Sequence, residues 1–413
     1  MKNIYDILDE RGLIKDITDE ALKQRVETPI TLYCGFDPTG PTLHIGHLFP
    51  IILLKHFENA GHNPIALIGG ATGCIGDPSF KKDERSLNTY DIVEQYANSL
   101  KSQIERFFDP QKTQFVNNMD WTKNISAIEF LRDYGKAFSV NNMIAKDSVA
   151  SRMETGISFT EFSYPILQAL DFKYLNDHYN CELQIGGSDQ WGNITAGTEL
   201  IRKTSDNKKV YGITVPLVTK SDGTKFGKSE GHAIWLDPNL TSPYEFYQFF
   251  VQSQDSDVIN YLKSFTFLPI EEIKDLERQV AEEPFKRTAQ KVLAYEVTKF
   301  VHGLEMADTA VKISEILFTG DLKQLSSQEI EANFINVKMT EINSGTALVD
   351  ALIECSLASS KREAREFITN NSISINGDKQ PDIEYTLTTE DGIDGKYVML
   401  KRGKKKYEFI VIK

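Results

Sequence analysis

The residues predict an α/β protein: a parallel sheet flanked by helices over 1–230, a helical segment over 231–332, a linker over 333–343 and a small α+β unit over 344–413. Three features carry this prediction. Short β-branched runs alternate with helical patterns in the first half. After Gly231 the apolar residues recur at helical spacing. Beyond Ser344 two short helical patterns lead into alternating strands.

Ile30 to Tyr33 predicts the first strand, ended by the turn residues Gly35 to Gly40. Leu48 to Asn59 predicts a helix stopped by Gly61. Pro64 to Ile68 and Glu182 to Ile185 predict further strands, ended by Gly69-Gly70 and Gly186-Gly187. Ligands of such sheets bind beyond the carboxyl ends of the strands, so residues just after these runs should share one crevice. Pro243 to Phe250, Asp255 to Lys263, Ile270 to Glu282 and Pro284 to His302 are helical by period and length. In the last unit Asn376-Gly377 is a hairpin-turn signal.

The composition, 40% hydrophobic and 25% charged over 413 residues, is that of an ordinary soluble protein. No apolar run reaches the length of a membrane span, and Met1 to Glu20 carries no apolar signal segment, so a cytoplasmic protein with no membrane partner is expected. Cys34, Cys74, Cys181 and Cys355 are scattered without a Cys-x-x-Cys pair, which argues against a disulfide framework or zinc ribbon. The net charge of −13 is unequally spread: Lys396 to Lys413 holds seven basic residues and one acidic. That stretch is either a local nucleic-acid footprint or a solvated basic tail.

His44-Ile45-Gly46-His47 offers two imidazoles, three residues apart, at a helix start. Helix N-termini attract phosphate through unpaired N–H groups, and imidazoles can donate to phosphate oxygens as charge builds. Gly46 has no Cβ, so a flat base could lie against the backbone. Pro50 is tolerable if it stays near the first turn. No metal site is expected, because no third ligand stands at zinc spacing. Lys225 and Lys228 lie in Lys225-Phe226-Gly227-Lys228-Ser229, a Gly-containing loop that could close over a triphosphate or be a plain basic turn. Tyr164, Gln168 and Asp171 fall on one helical face, with Pro165 in what should be the first turn; the alternative is the polar side of an amphipathic helix.

These motifs, with Tyr33-Cys34-Gly35-Phe36-Asp37-Pro38-Thr39, Gly76-Asp77-Pro78-Ser79 and Gly186-Gly187-Ser188-Asp189-Gln190, resemble the class I aminoacyl-tRNA synthetases, most closely the bacterial-type tyrosyl enzymes. The resemblance implies a Rossmann-like catalytic domain, a helical anticodon-side domain and an S4-like RNA-binding domain. It implies that Tyr33 and Asp171 bond a substrate phenol, that Tyr164, Gln168 and Asp77 hold its ammonium, and that Gln190 lies beside the tyrosyl group. Asp189 and Cys34 would contact the ATP ribose, Gly35, Asp37, Gly46, Gly187 and Ser229 would complete the ATP site, and His44, His47, Lys225 and Lys228 would be the catalytic groups that stabilise phosphate charge. The class pattern Lys-Met-Ser-Lys-Ser is altered at Phe226 and Gly227, which hints at a more mobile loop.

In the last unit Ser360 and Glu363 form a capping-box pattern, and Lys361, Arg362 and Arg365 follow it. They resemble the RNA-contacting helix of an S4 fold; the alternative is a solvated charged helix. The implied partners are L-tyrosine, ATP with Mg2+, tRNA(Tyr) and a second copy of the chain through roughly 117–162, with no prosthetic group. A tryptophan-activating enzyme and an RNA-binding protein without catalysis stay open. Tyr33 with Asp171 disfavours the first, and the intact histidines and lysines disfavour the second.

Overall fold

The computed structural model describes the chain except residues 1, 80–86, 151, 154–155, 206–207, 222–225, 230–231, 320–321 and 404–405, and the side chains of 147–148, 228–229, 232 and 318–319. The described residues divide into two compact units, 1–236 with 254–289, and 237–253 with 290–413.

The first unit is built on a six-stranded sheet of β1 (Asp16–Ile17), β2 (Thr31–Phe36), β3 (Asn63–Ile68), β4 (Gln114–Asn117), β5 (Cys181–Gly187) and β6 (Tyr211–Val215), in the order β1-β6-β5-β2-β3-β4. Every pairing is parallel except that of the edge strand β1. The central strands are buried nearly throughout, as a sheet covered on both faces requires. From β2 the chain builds outward to β3 and β4, then returns to place β5 on the other side of β2. That reversal opens a crevice at the carboxyl ends of β2 and β5.

Four helices of this unit position the crevice: α1 (Ile45–Asn59), α2 (Phe159–Tyr179), α3 (Trp191–Thr204) and α4 (Asp255–Phe265). His44 caps α1 at the helix start expected at the histidine pair, three residues ahead of the run predicted from Leu48, and Ser158 caps α2, which starts earlier than a first-turn Pro165 would place it. Pro50 is therefore the sixth residue of α1 and Pro165 the seventh of α2, not members of a first turn. Neither proline can donate to the carbonyl four residues back, so each helix is held more by packing than by its own ladder. α2 is no amphipathic surface helix: Tyr164, Asp171, Ile166 and Leu170 are all buried. The carboxyl end of α4 is tied to the N-terminal segment by Arg11, whose buried guanidinium donates to the carbonyls of Lys263 (3.0 Å), Thr266 (2.9 Å) and Leu268.

The second unit sandwiches a five-stranded sheet between helices. Its order is Asp378–Lys379, Ile373–Ile375, Tyr397–Arg402, Lys406–Ile412 and Thr340–Ile342. The last of these falls in the stretch read as a linker and pairs parallel with Lys406–Ile412. One face of the sheet sends Tyr397, Met399 and Phe409 into a core with Ile313, Ile316, Ile330 and Phe334. The other packs Val398, Leu400 and Ile410 against Leu348, Leu352 and the helix α5 (Lys361–Thr369) through Ala364 and Ile368. Asn376 and Gly377, at φ 48° and 99°, make the tight hairpin turn that their sequence signals.

Phe409 is 1% exposed at the join of helices and sheet. Phe409→Ala should therefore cost about 3–5 kcal/mol, read by denaturant unfolding. A loss below about 1 kcal/mol would show that the helices of this unit do not depend on the sheet.

Candidate active site

A continuous chain of side chains lines the crevice. Tyr164 Oη on α2 donates to Asp37 Oδ2, just past β2, at 2.7 Å. Thr72 Oγ1 donates to Asp37 Oδ1 at 2.7 Å. Asn118, just past β4 and wholly buried, donates to Thr72 Oγ1 (3.0 Å) and to Asp171 Oδ2 (2.9 Å) and accepts from the Ala71 N–H (2.7 Å). Trp121 Nε1 donates to Asp171 Oδ1 at 2.9 Å. Gly69 has no room for a side chain: a Cβ there would stand 2.0 Å from Asp37 Oδ1.

Asp171 is raised to about 7, because burial penalises its charge more than its two donors favour it. Tyr33, fully buried, is held well above the usual phenol value by burial and then by Asp171. Its hydroxyl has no hydrogen-bond partner among the described residues, and neither has the buried Gln168 Oε1. Buried polar groups are normally bonded, so these two atoms mark where a polar ligand fits. The walls are apolar: Tyr33 packs against Phe172 with ring centroids 5.3 Å apart, within a cluster that includes Leu67 and Ile65.

At the neighbouring rim Gln190 Nε2 donates to Asp77 Oδ2 at 2.7 Å, and Asn193 Nδ2 to Gln190 Oε1 at 3.2 Å. Gly187 leaves the space that Asp189 uses, since a Cβ would lie 2.4 Å from its Oδ1. Gly35, the next-to-last residue of β2, is exposed, with only Leu67 near a would-be Cβ. Cys34 is buried, and burial pushes its thiol up to about 12, so it is a neutral donor at any working pH.

The two histidines are mutual caps of α1. His44 Nδ1 accepts from the Gly46 N–H (3.0 Å), and His47 Nδ1 accepts from the His44 N–H (3.1 Å). Burial lowers both, His47 to about 3, so both rings are neutral near pH 7. An Nδ1 that accepts leaves the proton on Nε2. Each imidazole is thus fixed as a neutral Nε2–H donor. Gly46 is required by the cap itself, because a Cβ would meet His44 Cε1 at 2.7 Å.

Lys225 lies outside the described residues, and of Lys228 and Ser229 only the backbone is described, as a strand paired with His232–Ala233. The base of that loop reaches the histidine turn: the Ile45 N–H donates to the Ile234 carbonyl at 2.9 Å, and His44 bridges Trp235. The described part of the loop brings Gly227 close to the start of α1. Gly227 has φ 102°, and a Cβ there would stand 2.4 Å from Ile45 Cγ2.

Lys361, Arg362 and Arg365 lie exposed on α5 in the second unit, with Lys361 paired to Asp350 at 2.7 Å. The capping box is displaced by one residue: Ser360 Oγ accepts from the Glu363 N–H, but the Glu363 carboxylate bonds Ser359. Four of the seven basic residues of the terminal stretch are engaged within the fold. Lys396 pairs with Glu331, Lys413 with Glu341, Lys401 Nζ donates to the Leu317 carbonyl, and Arg402 lies over Phe367. Sequence reasoning missed Thr72, Asn118 and Trp121. The short β-prone pair Phe115-Val116, ended by Asn117-Asn118, was the available signal for a strand end.

No helix of the described residues is long and apolar enough to cross a membrane, and no cluster of three or more metal-ligating side chains occurs among them.

Asp171 gives a pH prediction. Its folded value lies above the ordinary 3.8, so the folded state holds a proton that the unfolded chain has lost. Stability should fall as pH rises from about 4 to 7, by up to about 4 kcal/mol from this group. In Asp171→Asn that part of the slope should vanish from denaturation midpoints measured across the window. An unchanged slope would assign the titration elsewhere.

Residues 24–319 match the family model of class I tRNA synthetases (W and Y), and residues 329–410 match that of the tyrosine–tRNA ligase SYY-like C-terminal domain. Tyrosine–tRNA ligase 1 of Bacillus cereus (strain ATCC 10987 / NRS 248) is 56% identical over 98% of this chain and 99% of its own length. The tyrosine–tRNA ligase of Desulfitobacterium hafniense is 52% identical over 99% of each chain. The crystal structure of a C-terminally truncated mitochondrial tyrosyl-tRNA synthetase of Aspergillus nidulans is similar with a TM-score of 0.70 at 35% identity, covering 77% of this chain and 95% of that one. With its catalytic fold, its histidine-capped helix start and its full-length likeness to these enzymes, the chain belongs to the tyrosine–tRNA ligases, class I aminoacyl-tRNA synthetases that join tyrosine to tRNA.

Proposed function

We propose that the chain activates L-tyrosine with magnesium-bound ATP in the crevice over β2 and β5, then passes the tyrosyl group to the terminal adenosine of tRNA(Tyr), as a cytoplasmic homodimer. The observation that carries the tyrosine reading is the buried Tyr33 hydroxyl, without a partner among the described residues, in an apolar pocket that also holds Asp171. A phenol there gains two polar neighbours and an aromatic wall. An indole has no oxygen to offer them.

In the first step a tyrosine carboxylate oxygen attacks the α-phosphorus of ATP. One P–O bond forms, and the bond to pyrophosphate breaks. The carboxylate is already ionised, so no general base is needed, and the work is positioning and charge stabilisation. The Nε2–H groups of His44 and His47 are neutral donors held at the start of α1, suited to phosphate oxygens as charge builds. Lys225 and Lys228 would neutralise the departing pyrophosphate. Asp77, Tyr164 and Gln168 would hold the ammonium, and Gln190 would lie along the tyrosyl group. Asp189, Asp37 and Cys34 would meet the ribose, beside the bare backbone of Gly35 and Gly187. In the second step a ribose hydroxyl of the tRNA attacks the tyrosyl carbonyl, and AMP leaves.

Segment 1–230 would carry this chemistry and 231–332 the anticodon side, while 344–413 would bind RNA backbone through Lys361, Arg362 and Arg365. The dimer reading is supported by Ile128, Leu131, Val140, Ile144, Met153 and Phe159, all exposed within the 117–162 stretch. Such a concentration of apolar side chains suits a surface covered by a second copy.

Tyr33→Phe should erode the preference for tyrosine over phenylalanine by about 1–3 kcal/mol, the cost of an unpaired buried group, measured as the ratio of kcat/KM in ATP–pyrophosphate exchange. An unchanged ratio would remove Tyr33 from the phenol pocket. Replacing Lys361, Arg362 and Arg365 together by Ala should leave exchange intact and weaken tRNA binding, flattening its salt dependence by about one log–log unit per lost phosphate contact. Wild-type tRNA affinity in that variant would refute the role given to α5.

A further inference from the structure

The helix α4 forms a platform under the lysine loop. At the loop entrance the Ser221 N–H donates to Asp257 Oδ1, near the start of α4, at 3.0 Å. Further along, Phe226 stacks on Phe265 with centroids 5.0 Å apart and 26° between planes, and meets Tyr261 at 4.6 Å. Phe265 in turn meets Phe49, on α1, at 6.0 Å. The next residue, Gly227, backs onto Ile45 at the first position of α1, and its carbonyl accepts from the Ile234 N–H at 3.4 Å. Arg11 anchors the far end of α4. The aromatic stack therefore runs from the loop, through α4, to the helix whose start carries the two imidazoles.

We infer that Phe226 is a positioning residue for adenylate formation: seated on Tyr261 and Phe265, it fixes the strand that carries Lys228 against the first turn of α1. The inference rests on the proposed role of Lys228 at the phosphates. The physical reason is entropic. A lysine on an unanchored loop must lose loop freedom as well as side-chain freedom to reach the transition state. A side chain large enough to cover both rings removes the first loss in advance. A methionine covers a comparable apolar area, whereas an alanine leaves the rings uncovered and the strand unpinned.

The test uses the full-length protein, with ATP–pyrophosphate exchange and equilibrium dialysis of tyrosine as readouts. Phe226→Ala should lower the kcat of exchange about 10- to 100-fold while the tyrosine Kd stays within about twofold, and Phe226→Met should restore kcat to within about threefold of wild type. In a Lys228→Ala background, itself slow, adding Phe226→Ala should cost less than about threefold more, because the two act through one group. If Phe226→Ala does not fold, Tyr261→Leu removes one wall of the same pocket and is judged by the same criteria. Normal exchange in Phe226→Ala beside slow exchange in Lys228→Ala overturns the inference and leaves the site reading standing. Fully multiplicative losses, or a tyrosine Kd that worsens in step with kcat, make Phe226 merely structural and also overturn it. Normal exchange in Lys228→Ala removes the site reading and the inference with it.

Discussion

Asn118 holds the catalytic crevice together. Its one amide joins three pieces of chain: the turn after β3 through the Ala71 N–H and Thr72, the end of β4 from which it projects, and α2 through Asp171. Each bond is buried, so losing any one strands a polar partner at about 1–3 kcal/mol. The relay continues through Thr72 to Asp37 and on to Tyr164, so the residues read as contacting the two ends of the amino acid belong to a single hydrogen-bond chain. Geometry at the phenol end cannot drift without disturbing the ammonium end. A site that must place a carboxylate in line with a phosphorus atom gains from that coupling.

The histidine pair follows the same economy at the other substrate. The two rings satisfy the first amides of α1, and that service alone dictates which nitrogen of each carries the proton. Their burial keeps them uncharged, so they offer directional donors rather than a standing positive charge. Permanent charge is left to the lysines on the loop. The base of that loop is bridged to the same helix start through Ile234 and Trp235, which keeps the two kinds of phosphate ligand in register.

Much of this was legible in the sequence because it depends on local patterns. The strands after which the motifs fall, the histidine pair and the Asn376-Gly377 turn are all written in short windows. The start of α2 was not: a proline seven residues in looks like a beginning. Thr72, Asn118 and Trp121 were missed because their importance comes from which strands are neighbours, and strand order is a long-range property. The strand at 340–342 was hidden for the same reason, since its partner lies some seventy residues later. The close approach of Gly227 to Ile45 was not legible either, since the two are remote in sequence and close in space.

The C-terminal stretch shows how far formal charge can mislead about nucleic-acid binding. From Lys396 to Lys413 the sequence counts seven cations, but Lys396 and Lys413 face carboxylates, Lys401 closes the end of a helix through the Leu317 carbonyl, and Arg402 lies on an aromatic ring. Cations already engaged within the fold displace fewer counterions when a polyanion arrives. The ionic-strength response of such a domain is therefore set by its uncommitted cations, and the −13 carried by the whole chain need not oppose RNA binding if those few face the phosphates. In this unit the same charges that make the sequence look like a nucleic-acid binder serve first as mortar for a small sheet.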